Sequence, residues 1–128
     1  MSTKIPAANV RLKRAYASPV SGDGSRILVD RLWPRGVSKR KAALDQWMKG
    51  IAPSAELRKW FGHNPARWDE FRRRYAAEVH KNSALLYQLR SAARHGPIKL
   101  VYSAQDEVHN DAAVLRDLIL GRKITPAT

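Results

Sequence analysis

Three short stretches of this chain gather residue types that can do chemistry. In VDRLWPRG (29–36), an apolar run ends in Asp30 and is followed at once by Arg31, Trp33 and Arg35. Each guanidinium is a rigid fork of donors suited to carboxylate or phosphate oxygens. Trp33 offers a flat face for a planar group or an arginine, and Pro34 and Gly36 would shape the loop, with Gly36 at positive φ. Asp30 could orient an arginine or act as a base. The second stretch, SAQDEVHN (103–110), carries Ser103, Asp106, Glu107, His109 and Asn110 just before a helix. A helix start supplies free N–H groups and a positive dipole end, and His109 could serve as an acid or base near neutral pH. The third, WFGHNP (60–65), sets His63 beside two aromatics.

Each stretch also has a purely architectural explanation. Asp30 could pair with an arginine inside the fold while Trp33 plugs the core. Asp106 and Glu107 suit the first turn of a helix, with Asn110 or Asp106 as its cap. His63 lies between a helix stop at Gly62 and a restart at Asn64-Pro65, where it could simply satisfy a carbonyl.

Other chemistries lack a pattern. There is no GxGxxG or GxxxxGK[ST] stretch for a dinucleotide or P-loop site. A triad of Ser103, His109 and an aspartate lacks the nucleophile-elbow context. Asp106, Glu107, His109 and Asp111 sit on consecutive turns of one segment, a poor arrangement for converging on a metal. No metal and no other cofactor is expected. The chain has no cysteine, so thiol chemistry is excluded and nothing points to an oxidising compartment.

The elements that must position these residues follow from periodicity. Val10 and Leu12 alternate with Arg11 and Lys13, as in a strand with one wet face. SPVSGDGS (18–25) is turn-rich. Ile27–Asp30 reads as a continuous apolar strand covered on both faces. Ser38 can cap a short basic helix reaching about Leu44, and 44–51 suits either strand or helix. Ser54 caps a helix with Leu57, Trp60 and Phe61 on its apolar face. Asn64-Pro65 opens another over 65–80, where Trp68, Phe71, Tyr75 and Val79 recur at spacings of three and four. A helix from Ser83 stops at His95-Gly96-Pro97, with Leu85, Leu86, Leu89, Ala92 and Ala93 inward. A buried strand (98–102) and a last helix (about 109–120) with Val114, Leu115, Leu118 and Ile119 inward complete the chain. The order predicts an α/β fold: a small single domain, residues 1–128 with a core over about 10–120 and frayed tails, built on a short, mainly parallel sheet flanked by helices. If strands 27–30 and 98–102 run parallel, the loops after both leave one sheet edge, where open α/β sheets bind ligands.

Composition agrees with a globular domain of 128 residues and adds a strong charge signal. Lys plus Arg number 24 against 11 Asp plus Glu, a net charge of +13. Residues 1–64 hold +9 of it (13 basic, 4 acidic) and residues 65–128 hold +4 (11 basic, 7 acidic). Such a surface attracts polyanions or small phosphates, and it also serves plain solubility. No apolar run is long enough for a transmembrane helix and the N-terminus lacks a signal-peptide core, so a cytoplasmic, membrane-free protein is expected.

The stretches RILVDRLWPRGVSK, IAPSAELRKWFGHNPARWDEFRRRY and KLVYSAQDEVHNDAAVL resemble the YeaO-like branch of the bacterial family called domain of unknown function 488, over roughly residues 10–120. The resemblance implies a compact cytoplasmic α/β domain and brings no established activity with it. The branch typically reads DxEHNH in the last loop. Here Asp106, His109 and Asn110 match, while Val108 and Asp111 replace the Glu and the final His. The wider family often carries cysteines at the positions of Tyr102 and Asn110, which this chain lacks.

Two functions are therefore expected, in order. The first is a basic, aromatic-lined cleft for a phosphate-bearing or otherwise anionic small ligand, nucleotides included. Arg31, Trp33, Arg35, His63, Ser103, Asp106 and Asn110 would bind it, and Asp30 or His109 would handle protons if the protein is an enzyme. The second is a nucleic-acid-binding module whose phosphate contacts come from Lys39, Arg40, Lys41, Arg72, Arg73 and Arg74, with little sequence preference.

Overall fold

A computed structural model describes residues 4–124 of the chain. Four parallel strands form one sheet: β1 (Val10–Arg14), β2 (Ser25–Leu28), β3 (Gln46–Trp47) and β4 (Ile98–Tyr102), in the spatial order β1-β4-β2-β3. Five helices complete the α/β fold: α1 (Lys39–Ala42), α2 (Ala55–Phe61), α3 (Trp68–Lys81), α4 (Ser83–His95) and α5 (Asp111–Ile119). Among the described residues no helix is long and apolar enough to cross a membrane.

The helix signals act where the sequence places them. Ser38, Ser54 and Asn110 each accept a backbone N–H of the first turn, at 3.0, 3.1 and 2.9 Å, and so start α1, α2 and α5. Asn64 does the same for Ala66 at 3.0 Å, opening a single 3-10 turn (Pro65–Arg67) that runs into α3. The main core lies between the sheet and α2–α5. Ile27, Val29, Leu100 and Tyr102 point into it and meet Leu57, Phe71, Leu89 and Leu115. The opposite sheet face is covered by loops and α1. There Leu28 and Val101 pack against Trp33, Leu44 and Trp47.

That second face also holds a buried ion pair at the start of β2. Arg26 donates to Asp23 at 2.7 Å and, through Nε and Nη2, to the Ala42 carbonyl at 3.1 and 2.8 Å. Lys13 reaches the same aspartate at 3.0 Å. Burial alone would raise the Asp23 carboxyl, but the Lys13, Val20 N–H and Arg26 donors outweigh it and leave it below its ordinary range. Gly24 makes this corner possible. It sits at φ 69°, and a Cβ there would come within 2.1 Å of the Pro97 carbonyl oxygen.

Three points refine the expected architecture. Residues 44–51 resolve into the two-residue strand β3 and one 3-10 turn (Lys49–Ile51). Helices α2–α5 pack on one face, while α1 and loops cover the other, so helices flank the sheet as expected. The tails are more ordered than expected within the described range. Ile5 packs against the core, Ala7–Asn9 form a turn, Ile124 is buried and Arg122 bonds to Asp117 at 2.9 Å. The remainder of the frayed-tail expectation, residues 1–3 and 125–128, lies outside the described residues.

Candidate functional site

Because β2 and β4 are parallel neighbours, the loops after them leave the same carboxyl edge of the sheet. They border one cleft of about 710 Å³, closed on its other sides by the end of α2, by Phe71 of α3 and by Tyr16 from the loop after β1. Arg14 helps hold this edge together. Its guanidinium donates to the Ala104 and Ser103 carbonyls at 2.9 and 3.3 Å and lies over the Tyr16 ring. The size suits a drug-sized or nucleotide-sized ligand.

All nine residues expected to build the site line this cleft. They are not equally free within it. Trp33 is half-buried, donates its indole N–H to the Val37 carbonyl at 2.6 Å and meets Trp47 edge to face at 5.4 Å. It borders the cleft while anchoring its own loop, with Gly36 at φ 79° closing the turn. Asn110 is buried and both its polar ends are engaged: Oδ1 caps α5, and Nδ2 donates to the Asp106 carbonyl at 3.0 Å. Asp106 accepts the backbone N–H groups of Val108 and His109, each at 2.9 Å, and the His109 ring Nδ1 at 2.8 Å. Those donors, the His109 N–H foremost, lower its carboxyl to about 2. The arrangement fixes the imidazole, which also packs edge to face on Trp68 at 5.1 Å. His109 thus turns its Nδ1 toward Asp106 and leaves Nε2 without a partner among the described residues. His63 is exposed and, unusually for a non-glycine residue, sits at φ 55°. It makes no carbonyl contact of the kind expected at a helix junction.

Asp30 does not pair with an arginine. Its Oδ2 accepts the Ser103 backbone N–H at 2.9 Å and the Ser103 hydroxyl at 2.8 Å. Its carboxyl also hydrogen-bonds to that of Asp111, the first residue of α5. Burial pushes the Asp111 carboxyl well above the ordinary carboxylate range, and the adjacent Asp30 pushes it further. Two carboxyls this close disfavour each other's charged form, and the effect is seen at Asp111. Tyr75 lies beneath them, fully buried. Its hydroxyl donates to the Ile51 carbonyl, and burial followed by the Asp111 and Asp30 charges raises it well above its ordinary value.

The arginines supply the cleft's donors. Arg31 is exposed and reaches the Pro53 carbonyl with two long bonds of 3.3 Å. Arg35 and Arg58 are exposed and have no side-chain partner among the described residues. Sequence reasoning missed Arg58, which lies on the solvent side of α2, and it treated Asp111 only as a poorly placed metal ligand. Phe61 and Phe71, stacked at 4.3 Å, supply the apolar wall. The cleft lining therefore combines exposed arginine donors, half-buried carboxylate acceptors and buried aromatic rings.

The residues of the nucleic-acid alternative lie elsewhere. Arg72, Arg73 and Arg74 face Asp69 and Glu70 of the same helix at 3.9, 3.6 and 2.8 Å, and Arg74 lies over the Trp60 ring at 4.3 Å. Lys39, Arg40 and Lys41 form an exposed basic turn in α1.

A two-layer α/β domain with this edge cleft belongs to a defined family. The chain is a member of the group described as the inactive DUF488-N3 subclade, whose model matches residues 9–125. It is 44% identical over 109 residues to the uncharacterised protein YeaO of Escherichia coli K12, covering 85% of this chain and 95% of that one. It is also 42% identical over 118 residues to the uncharacterised protein Rv3073c of Mycobacterium tuberculosis H37Rv, covering 92% of this chain and 99% of that one. No solved structure matches the chain.

Proposed function

We propose that this domain binds a small phosphate-bearing ligand, with nucleotides the leading class, in the cleft at the carboxyl edge of its sheet. One observation carries the proposal. Arg35 and Arg58 reach the same concave surface from different parts of the chain, and neither side chain has a partner among the described residues. Long, mobile cations are normally tied to acids when their role is architectural, as Arg26 is. Two left free over an aromatic-walled cleft form a pair of forks for phosphate oxygens. The net charge of +13 draws anions toward it. The description of the matched family as inactive favours binding without turnover. Were the ligand turned over, His109 Nε2 and the Asp30–Asp111 pair would be the proton-handling groups.

Thermal-shift titration with inorganic phosphate, ribose 5-phosphate and nucleotides tests the proposal. A stabilising shift that disappears in Arg35→Ala is expected. No shift with any of them, or a shift unchanged in that variant, contradicts it. The exposed turn Lys39–Lys41 favours a second reading, contact with nucleic-acid phosphates. The acids beside Arg72–Arg74 weaken it. Fluorescence anisotropy with oligonucleotides at low salt separates the two, since only nucleic-acid binding through these runs survives Arg35→Ala.

A further inference from the structure

We infer that the floor of the cleft selects, among phosphate-bearing ligands, nucleotides whose base carries an exocyclic amino group. This rests on the anion-binding proposal above and adds the identity of the ligand's far end. The site is the whole cleft, whose donors are exposed and whose carboxylates are half-buried. The arginine rim of Arg31, Arg35 and Arg58 holds only donors. The floor, Asp30 and Asp111, is rich in acceptors.

The floor's hydrogen bonds can be counted. Asp30 Oδ2 receives the Ser103 N–H and hydroxyl, and Asp111 Oδ1 receives the Ala112 N–H at 2.9 Å. Beyond these donors, Asp111's own backbone N–H and the facing carboxyl, neither carboxyl has a partner among the described residues. Each carboxylate oxygen can accept two hydrogen bonds. The floor therefore keeps unused acceptor capacity in a partly buried place, where leaving it unmet is costly. An N–H donor meets that need. A flat ring lying along Phe61 and Phe71 would carry it there while a phosphate sits among the arginines. A base with a carbonyl at the same position sets acceptor against acceptor and is disfavoured.

Isothermal titration calorimetry on the full chain tests this with two matched pairs, AMP against IMP and CMP against UMP, and with ribose 5-phosphate. The amino-bearing member of each pair should bind about tenfold tighter. Asp111→Ala should erase that preference. Asp111→Asn, nearly isosteric and so the safer variant for folding, should narrow it. Equal affinities within both pairs, with ribose 5-phosphate still bound, overturn this inference and leave the anion site standing. A preference that persists in a folded Asp111→Asn and Asp111→Ala also overturns it. Absence of binding by all five ligands overturns both proposals.

Discussion

At the start of β2, Arg26 is 4% exposed and all three of its guanidinium nitrogens are bonded, to Asp23 and to the Ala42 carbonyl. Just past the end of the same strand, Asp30, Arg31 and Arg35 repeat the residue types with the opposite outcome. Asp30 turns to Ser103 and to a second carboxyl, Arg31 makes two long bonds to a carbonyl, and Arg35 makes none. The first cluster is saturated and sealed, so its charges define how loop 15–24 and α1 cover the sheet. The second leaves donors and acceptors unspent around a cleft. Aspartates and arginines in proximity are therefore not a site in themselves. What separates architecture from a binding surface is whether their hydrogen-bonding capacity has already been used.

The largest effect should come from breaking the sealed end. Asp23→Ala leaves Arg26 buried without its counter-charge and should cost about 3–5 kcal/mol in chemical denaturation. If that variant loses less than the general cost of an ordinary surface substitution, the cluster is not structural. The open end should behave in reverse. Arg35→Ala should change stability by less than about 0.5 kcal/mol while abolishing the ligand-induced thermal shift. A large loss of stability there would show that Arg35 is part of the architecture.

Asp111 should sharpen the contrast through its pH dependence. Its carboxyl is raised in the folded protein, so the native state holds that proton more tightly than the unfolded chain does. The folded state is penalised increasingly as pH rises above the ordinary value of 3.8. Asp111→Asn mimics the protonated form. It should stabilise the domain by about 1 kcal/mol near neutral pH, and the advantage should shrink as pH falls toward 4. An advantage that is flat with pH would contradict the raised Asp111 carboxyl. The smallest effect is expected at His63, held at φ 55°. His63→Gly should gain a few tenths of a kcal/mol from relieved strain, and a loss of stability would mean that the imidazole packs usefully.

Much of this was legible in the chain because it is local. Ser54, Asn64, Gly62 and Asn110 mark helix ends by themselves, and the spacing of Trp68, Phe71, Tyr75 and Val79 declares α3. The site loops were legible for the same reason, since each follows an apolar strand. Pairings across sequence distance were not. Asp111 looks like any first-turn acid, and only the parallel pairing of β2 with β4 brings it against Asp30. Arg58 looks like an ordinary exposed helix charge until α2 is placed over the sheet edge. Gln46–Trp47 is too short a strand to carry a period. Trp33 suited both a site and a plug, and it is both: it lines the cleft while its indole ties the loop to Val37.

The proposed binding surface is the open end of β2. Nuclear magnetic resonance titration of the isotope-labelled chain with AMP measures this directly. The account predicts that shifts move with ligand at Arg31–Arg35, at Arg58 and across Ser103–Asp111, including the Trp33 indole, while Asp23–Arg26 stay still. Shifts confined to Lys39–Lys41 or Arg72–Arg74, or none at all, would contradict it.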